Sequence, residues 1–174
     1  ILDLFSLKGK TAVVTGANTG LGQGICVALA QAGASVIGVA RRSCADTAEK
    51  IAEFNGSFSE LIVDLSTPDA VDKIIEGIDS LGGNFDILVN NAGIIKRADA
   101  LDVTEEDWDT VINLNQRLVF FLSQKIAKKY MVPQKYGKII NIASMLSYQG
   151  GIRVPAYTSS KSAIIGMTRA LANE

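Results

Sequence analysis

Five short apolar segments alternate along this 174-residue chain with stretches that have the spacing of amphipathic helices. The apolar segments are rich in Val and Ile and too short for helices, which is typical of strands buried on both faces of a parallel sheet. They cover Thr11–Thr15, Ser35–Ala40, Glu60–Val63, Asp86–Val89 and Lys138–Ile142. This alternation predicts βαβ units with right-handed crossovers. We therefore expect one α/β domain over residues 1–174, a doubly wound, Rossmann-like parallel sheet in three α/β/α layers.

The helical patterns lie between and after these strands. They cover Gly22–Gln31, Pro68–Leu81, Thr104 to about Tyr130, and Pro155–Glu174. Thr67 is the expected N-cap of the second helix, and Thr104, with Asp107 three residues later, that of the third. The last pattern reaches Glu174 without a stop signal, so we expect a domain truncated at its C-terminus. Such a segment alone would leave a sheet edge uncovered and is expected to be poorly stable and inactive.

Composition excludes several classes of function. The net charge is −1, from 17 basic and 18 acidic residues, which gives no basic field for nucleic-acid binding. No apolar run approaches the ~20 residues of a membrane helix. The absence of His excludes His-based triads and argues against a metal site. Cys26 is expected in the core and Cys44 as a free thiol in a surface loop; with no disulfide framework, a reducing cytoplasm is the predicted location.

A glycine-rich segment, Thr15–Gly22, joins the first predicted strand to the first helix. Its spacing is G-x-x-x-G-x-G: Gly16 allows a tight turn, Gly20 a close approach of backbone to a pyrophosphate, and Gly22 close helix packing. The helix N-terminus adds free N–H donors and a positive dipole end. We therefore predict a dinucleotide site that also involves the intervening loop residues Asn18, Thr19 and Leu21. The alternative is a glycine-rich turn without a ligand.

The end of the second strand bears on which dinucleotide binds. It reads Val39-Ala40-Arg41-Arg42, without the carboxylate that usually accepts the 2′-hydroxyl of NAD. Two guanidinium groups favour a 2′-phosphate and hence NADP. Alternatively, one or both arginines point to solvent, and Thr19 supplies no second basic residue in the glycine loop.

Tyr157 and Lys161 are four residues apart and so lie on one face of the last helix. An ammonium beside a phenol favours the phenolate, which makes the pair a credible acid/base for an alcohol or a ketone. Ser144 lies thirteen positions upstream of Tyr157. Together with the glycine loop, this pair predicts redox chemistry.

With these residues the chain resembles the short-chain dehydrogenase/reductase family over nearly its whole length. The resemblance also rests on Asp64-Leu65 after the third strand, on Asn90–Gly93 after the fourth, and on Asn115 in the long helix. It implies the following roles. Asp64, with Leu65 beside it, contacts the adenine, and Asn91, Ala92 and Gly93 line the cofactor site. Tyr157 is the acid/base, Ser144 orients the substrate oxygen, Lys161 binds the nicotinamide ribose and polarises Tyr157, and Asn115 ties a relay water to Lys161; Asn113 is a rival for that last role.

Within the family, Ser144–Tyr157 and Gly93–Arg97 are similar to members that oxidise a secondary alcohol of a sugar acid. Many of these are described as NAD-preferring, which conflicts with Arg41 and Arg42. Arg153, Gln149, Lys96 and Arg97 lie close in sequence to the catalytic elements, and a guanidinium can bind a carboxylate as a bidentate pair. Solvated loop charges are the alternative.

Two other functions stay open at this point. One is an NADPH-dependent reductase of ketones or 3-oxoacyl thioesters, which would suit Arg41 and Arg42. The other is a dinucleotide-binding sensor without catalysis, although all four catalytic positions are filled here. The resemblance further implies a homotetramer or homodimer formed through the two long helices.

Overall fold

A parallel five-stranded sheet forms the centre of the protein. The computed structural model describes residues 2–82 and 85–174. The strands are β1 (Thr11–Thr15), β2 (Ser35–Ala40), β3 (Phe58–Ile62), β4 (Ile87–Asn90) and β5 (Lys138–Asn141), in the spatial order β3-β2-β1-β4-β5. All four pairings are parallel. The predicted doubly wound sheet is thus confirmed, with strand ends shifted by no more than two residues.

Helices connect the strands. They are α1 (Gly20–Gln31), α2 (Ala45–Ala52), α3 (Ala70–Ser80), α4 (Glu105–Ile112), α5 (Leu118–Ile126), α6 (Val132–Gln134), α7 (Leu146–Gln149) and α8 (Pro155–Ala172), with a 3₁₀ turn at Leu2–Phe5. The sequence pattern does not predict α2, because only Thr47 and Ile51 of its eight residues are buried. In the described part of the chain, no helix is long and apolar enough to cross a membrane.

The long predicted helix is a continuous run from α4 to α6. Its π-helical segments, Asn113–Arg117 and Ala127–Met131, separate the three α-helical parts. The Thr104 cap is confirmed, since its hydroxyl accepts a hydrogen bond from the Asp107 N–H at 3.1 Å. The run ends at Lys135, which adopts a left-handed conformation. It is therefore a few residues longer than its sequence pattern indicates.

The predicted N-cap at Thr67 is wrong. Helix α3 begins at Ala70, and its N-cap residue is Asp69. The Thr67 hydroxyl donates to the Asp64 carbonyl at 3.0 Å and lies 2.7 Å from Asp69 Oδ1. Thr67 therefore closes a turn before the helix, and proline at position 68 does not start the helix itself.

The prediction of Cys44 as a surface thiol is also wrong. Cys44 is 1% exposed and lies in the same apolar cluster as Cys26, whose burial is confirmed. The Cys44 N–H donates to Glu60 Oε2 at 2.7 Å, which holds the start of α2 against β3. Burial raises the pKa of the Cys44 thiol to about 11 and that of Cys26 to about 12.

Two hydrophobic clusters cover the opposite faces of the sheet. Alternate residues of β1 divide between them, Val13 on one face and Ala12 and Val14 on the other, as the period of a strand requires. The long helical run contributes Val111 and Val119 to the interior, whereas Trp108 is 38% exposed. The crossovers reverse direction between β1 and β4. In open α/β sheets, ligands bind beyond the carboxyl ends of the strands at such a switch point.

Candidate active site

The glycine loop after β1 is fixed to the neighbouring strand. Gly16 N and Ala17 N donate to the Val39 carbonyl at 2.8 and 3.3 Å. Gly16 and Gly20 have φ angles of +70° and +56°, which favour glycine. A Cβ at Gly22 would lie 2.0 Å from the Gly16 oxygen. The loop therefore depends on glycine both for its turn and for the close approach of α1.

The loop after β4 holds the glycine loop from the other side. Asn91 Nδ2 donates to the Thr15 carbonyl at 2.9 Å and to the Gly16 carbonyl at 3.4 Å. In return, the buried Thr15 hydroxyl accepts from Asn91 N at 3.1 Å and Ala92 N at 3.0 Å. The sequence gives no sign of this role of Thr15, because a Thr at a strand end is common. The two loops at the switch point thus form one hydrogen-bonded unit.

These loops fit the pyrophosphate of a dinucleotide. Thr19, the N-cap residue of α1, makes no side-chain cap, so its helix keeps free N–H groups for an anion. A Cβ at Gly20 would meet nothing within 4 Å, which leaves room beside the backbone. Leu21 is 74% exposed at the start of the same helix, and Asn18 is half-buried.

The adenosine end of the predicted site lies along the ends of β2 and β3. Arg41 and Arg42 are both exposed there, and Leu65 is half-buried. Asp64 Oδ1 accepts from Ser66 N at 2.9 Å and from Ser66 Oγ at 2.7 Å. These bonds hold the pKa of the Asp64 carboxyl below its usual value, and the Arg41 charge contributes less.

Lys161 and Tyr157 come together on α8 as their spacing predicts. Lys161 Nζ lies 5.9 Å from the centre of the Tyr157 ring and donates to the Ile142 carbonyl at 2.5 Å. Lys161 is 5% exposed, and burial lowers the pKa of its ammonium. A Cβ at Gly93 would lie 3.7 Å from Lys161 Nζ. The lysine is therefore placed between the Tyr157 ring and the loop after β4.

Asn115 lies within the π-helical segment and is fully buried. Its side chain pairs with the backbone of Ile94 in both directions, each at 2.9 Å, and its Nδ2 also lies 3.2 Å from Ser160 Oγ. Both amide hydrogens and the amide oxygen of Asn115 therefore have partners within the protein. Asn113, the alternative, is exposed on the outer side of the helix.

Ser160 is a member of this cluster that the sequence reasoning missed. Ser160 is fully buried and lies between Tyr157 and Lys161 in the sequence. Its hydroxyl donates to the Tyr157 carbonyl at 2.8 Å. Its position on the inner face of α8, three residues after Tyr157, is the signal that could have indicated it.

Ser144 lies between β5 and α7 and is half-buried. Its hydroxyl accepts from Leu146 N at 3.2 Å, and its own N–H donates to Ser147 Oγ at 3.3 Å. Among the hydrogen bonds of the described residues, none joins Ser144 to Tyr157. The hydroxyl of Ser147 thus fixes the backbone at the start of this loop.

The predicted substrate residues are at the protein surface. Lys96 Nζ pairs with Asp107 at 3.0 Å, and Arg153 Nε with Asp99 at 3.1 Å. Arg97 and Gln149 are exposed. The Ala98 N–H donates to the Arg153 carbonyl at 3.0 Å, which joins the segment after β4 to the segment before α8. The structure thus brings the two candidate segments together, with two of their cations already paired to carboxylates.

A nucleotide-binding fold with a Tyr–Lys pair beside its switch point defines a class of dinucleotide-dependent oxidoreductases. The short chain dehydrogenase family profile matches residues 10–174. The chain belongs to this family and is a nicotinamide-dependent oxidoreductase that acts on CH–OH groups.

Individual relatives narrow the comparison. The chain is 51% identical over 174 residues to 2-dehydro-3-deoxy-D-gluconate 5-dehydrogenase of Escherichia coli (strain K12). The matched region covers 100% of this chain and 69% of that relative. A crystal structure from Agrobacterium tumefaciens, provisionally named 2-deoxy-D-gluconate 3-dehydrogenase and holding NADP, is 50% identical with a TM-score of 0.89, over 97% of this chain and 67% of that one. A 3-oxoacyl (acyl-carrier-protein) reductase of Agrobacterium tumefaciens C58 with NADP is 30% identical with a TM-score of 0.94, over 99% and 67%. The predicted resemblance to the sugar-acid dehydrogenases is confirmed.

Proposed function

We propose that this protein transfers a hydride between a nicotinamide cofactor and a secondary alcohol of a sugar acid of the 2-deoxy-D-gluconate or 2-keto-3-deoxygluconate type. The observation that carries the proposal is the 51% identity to a sugar-acid dehydrogenase over the whole chain, together with the buried Lys161 beside Tyr157. The identity to the 3-oxoacyl reductase is lower, at 30%, which favours a sugar acid over a 3-oxoacyl thioester as the substrate.

The bound nicotinamide supplies the hydride transfer at the carbon that carries the substrate oxygen. The protein supplies the proton transfer. In the oxidation, Tyr157 takes the hydroxyl proton, and Ser144 donates a hydrogen bond to the same oxygen. Lys161 places its positive charge 5.9 Å from the centre of the Tyr157 ring and is proposed to polarise it. Burial lowers the pKa of Lys161 and so disfavours its charged ammonium form. A nearby anion would stabilise that charged form.

Asn115 is proposed to hold the relay water through its backbone. Both hydrogens of its side-chain amide are donated, to Ile94 and Ser160, and its amide oxygen accepts from Ile94 N, so we assign the water to a backbone carbonyl of the π-helical segment. A π-turn shifts the bonding pattern, since Leu118 N bonds to the Asn113 carbonyl five residues earlier. The side chain of Asn115 then has a positioning role.

For the cofactor we propose NADP in preference to NAD. Arg41 and Arg42 are both exposed at the end of β2, available to a 2′-phosphate. The pyrophosphate would lie on Gly16, Asn18, Thr19, Gly20, Leu21 and Gly22, the adenine beside Asp64 and Leu65, and the nicotinamide side beside Asn91, Ala92 and Gly93. Replacing both arginines by Ala should weaken NADPH binding by about 10- to 100-fold and leave NADH binding unchanged within about twofold.

The substrate carboxylate is proposed to bind on the side of Arg153 and Gln149, with Lys96 and Arg97 on the adjoining segment. The cavity of about 350 Å³ beside Pro155 is a poorer place for an anion, because its lining includes Glu105 and Asp109. Arg153→Met should raise KM for a sugar acid about tenfold, whereas Arg153→Lys should lie between it and the wild type.

The remaining proposals concern assembly and location. We propose a homotetramer or homodimer in the cytoplasm. A groove of about 810 Å³ along the long helical run carries Arg117, Phe121 and Lys125 as well as the acidic Glu106 and Asp109. A surface with both signs of charge and an exposed aromatic ring is compatible with a second copy. Light scattering of the purified protein decides the oligomeric state.

The test of the proposed function is turnover of the purified protein with both sugar acids and a 3-oxoacyl thioester, each with NAD(H) and NADP(H). The expected result is the highest kcat/KM with a sugar acid. Tyr157→Phe should lower kcat by at least about 100-fold while keeping dinucleotide affinity. Preference for the thioester would replace the substrate proposal, and unchanged turnover in Tyr157→Phe would remove the acid/base assignment.

A further inference from the structure

Thr47 is a fully buried polar residue on α2 that plays no part in the chemistry proposed above. Its hydroxyl donates to the Ala17 carbonyl in the glycine loop at 2.9 Å. It also accepts from Gln23 Nε2 of α1 at 3.2 Å. One side chain of α2 therefore joins the loop to the helix that follows it.

This contact completes a pattern in the glycine loop. The carbonyls of Thr15 and Gly16 accept from Asn91, and the carbonyl of Ala17 accepts from Thr47. A loop that binds an anion needs its N–H groups directed at the ligand, and a carbonyl oxygen turned toward a phosphate would repel it. A carbonyl held by a buried donor cannot turn without leaving that donor unsatisfied.

Helix α2 is itself anchored, so Thr47 is a fixed support. Glu60 Oε2 on β3 accepts from Cys44 N at 2.7 Å and from Ser43 Oγ at 3.2 Å at the start of the helix. These two residues directly follow Arg41 and Arg42 in the chain. The helix therefore connects the turn that carries the arginines to the loop that would carry the pyrophosphate.

We propose that Thr47 is a positioning residue that holds the glycine loop in the conformation needed to bind the dinucleotide pyrophosphate. The proposal rests on the proposed function only in requiring that the protein bind a dinucleotide. It does not depend on which alcohol is oxidised. Thr47 acts through the backbone of Ala17 and touches neither the substrate nor the cofactor.

The test compares Thr47→Val with Thr47→Ser in the purified protein. Valine keeps the size and branching of threonine but removes the hydroxyl. We expect the Kd for NADPH, measured by fluorescence titration, to rise about tenfold in Thr47→Val, the size of effect that follows from losing one well-placed hydrogen bond. Thr47→Ser restores the hydroxyl and should restore the Kd to within about twofold. At saturating cofactor, kcat should stay within about twofold of the wild type, because the Tyr157–Lys161 pair is unchanged.

Two inhibitors separate positioning from general loosening of the fold. ADP-ribose contains the pyrophosphate, whereas adenosine lacks it. In Thr47→Val the inhibition constant of ADP-ribose should rise as much as the Kd for NADPH, and that of adenosine should not change. Equal weakening of both inhibitors would overturn the proposal.

Ile51→Val is the matched control for stability. Ile51 is fully buried on the same helix, and its apolar side chain makes no hydrogen bond to the loop. This variant should lower Tm without changing the Kd for NADPH. If Thr47→Val does not fold, Gln23→Met takes its place, because it removes the amide that donates to the Thr47 hydroxyl. This variant should give a smaller increase in the Kd for NADPH, again with ADP-ribose weakened and adenosine unchanged. An unchanged Kd in Thr47→Val, or in Gln23→Met in its place, would refute the role of Thr47, whereas a wild type that binds no dinucleotide would refute the proposed function as well.

Discussion

Replacing Gly22 by Ala is the most demanding test of the glycine-loop geometry. The added Cβ would lie 2.0 Å from the Gly16 oxygen, which is 1.4 Å inside the 3.4 Å at which ordinary contact begins. It would also lie 2.6 Å from Asn91 Nδ2. The loop cannot move aside freely, because Gly16 N is bonded to the Val39 carbonyl at 2.8 Å. Overpacking of this kind costs up to about 3 kcal/mol.

The expected change in stability follows from two opposing effects. Alanine is better than glycine within a helix by about 0.5–1 kcal/mol, so the net loss of stability is about 2 kcal/mol. For a protein of this size that lowers Tm by ~4–8 °C. We also expect dinucleotide affinity to fall at least about tenfold, because the strain is relieved by moving Gly16 and Asn91. Circular dichroism melts and fluorescence titrations measure the two effects.

Gly24→Ala is the matched control on the same helix. A Cβ at Gly24 would meet nothing within 4 Å, and the residue is exposed. This variant should gain about 0.5–1 kcal/mol, raise Tm by ~1–4 °C and leave dinucleotide affinity unchanged. If Gly22→Ala matched Gly24→Ala in Tm and affinity, the reasoning from the close approach of α1 to the loop would be refuted.

Three further predictions concern the rest of the fold. Thr104→Ala removes the hydroxyl that caps α4 and should cost about 1 kcal/mol in a urea titration, while Thr104→Ser should recover most of it; equal stability of all three proteins would contradict the cap. Because burial raises the pKa of the Cys26 and Cys44 thiols, iodoacetamide at neutral pH should modify neither in the native protein and both in urea, as counted by mass spectrometry. Lys129 and the Tyr130 hydroxyl lower the pKa of the Asp79 carboxyl below 3.8, so its contribution to stability is present above pH 3.8 and lost as the pH falls through the lowered value. Asp79→Asn should therefore show a smaller loss of urea midpoint between about pH 6 and about pH 3 than the wild type.

The sequence predicts much of the fold because the strongest signals are local. Strands β1 and β2 have the predicted ends, since each is a continuous apolar run bounded by turn residues. Helix α2 is missed because Ile51 is its only large apolar residue, and its other buried residue is the polar Thr47. Thr67 carries a valid cap signal, yet its hydroxyl is taken by Asp64 and Asp69 in a turn. Cys44 follows two arginines and looks exposed, but the anchoring of α2 by Glu60 buries it.

In the candidate site, too, the sequence predicts the local motifs but not the contacts between distant residues. The sequence alone determined the glycine spacing and the Tyr157–Lys161 pair, because each rests on residue types at short separations along the chain. It determined the family from several such short motifs taken together. Only the tertiary structure decided that Asn115 donates both amide hydrogens to Ile94 and Ser160, that Arg153 pairs with Asp99, and that Thr47 holds the Ala17 carbonyl. The partners in these contacts are between 21 and 54 residues apart along the chain. Such contacts depend on how the crossovers bring the ends of the strands together, and no local pattern of residues records that arrangement.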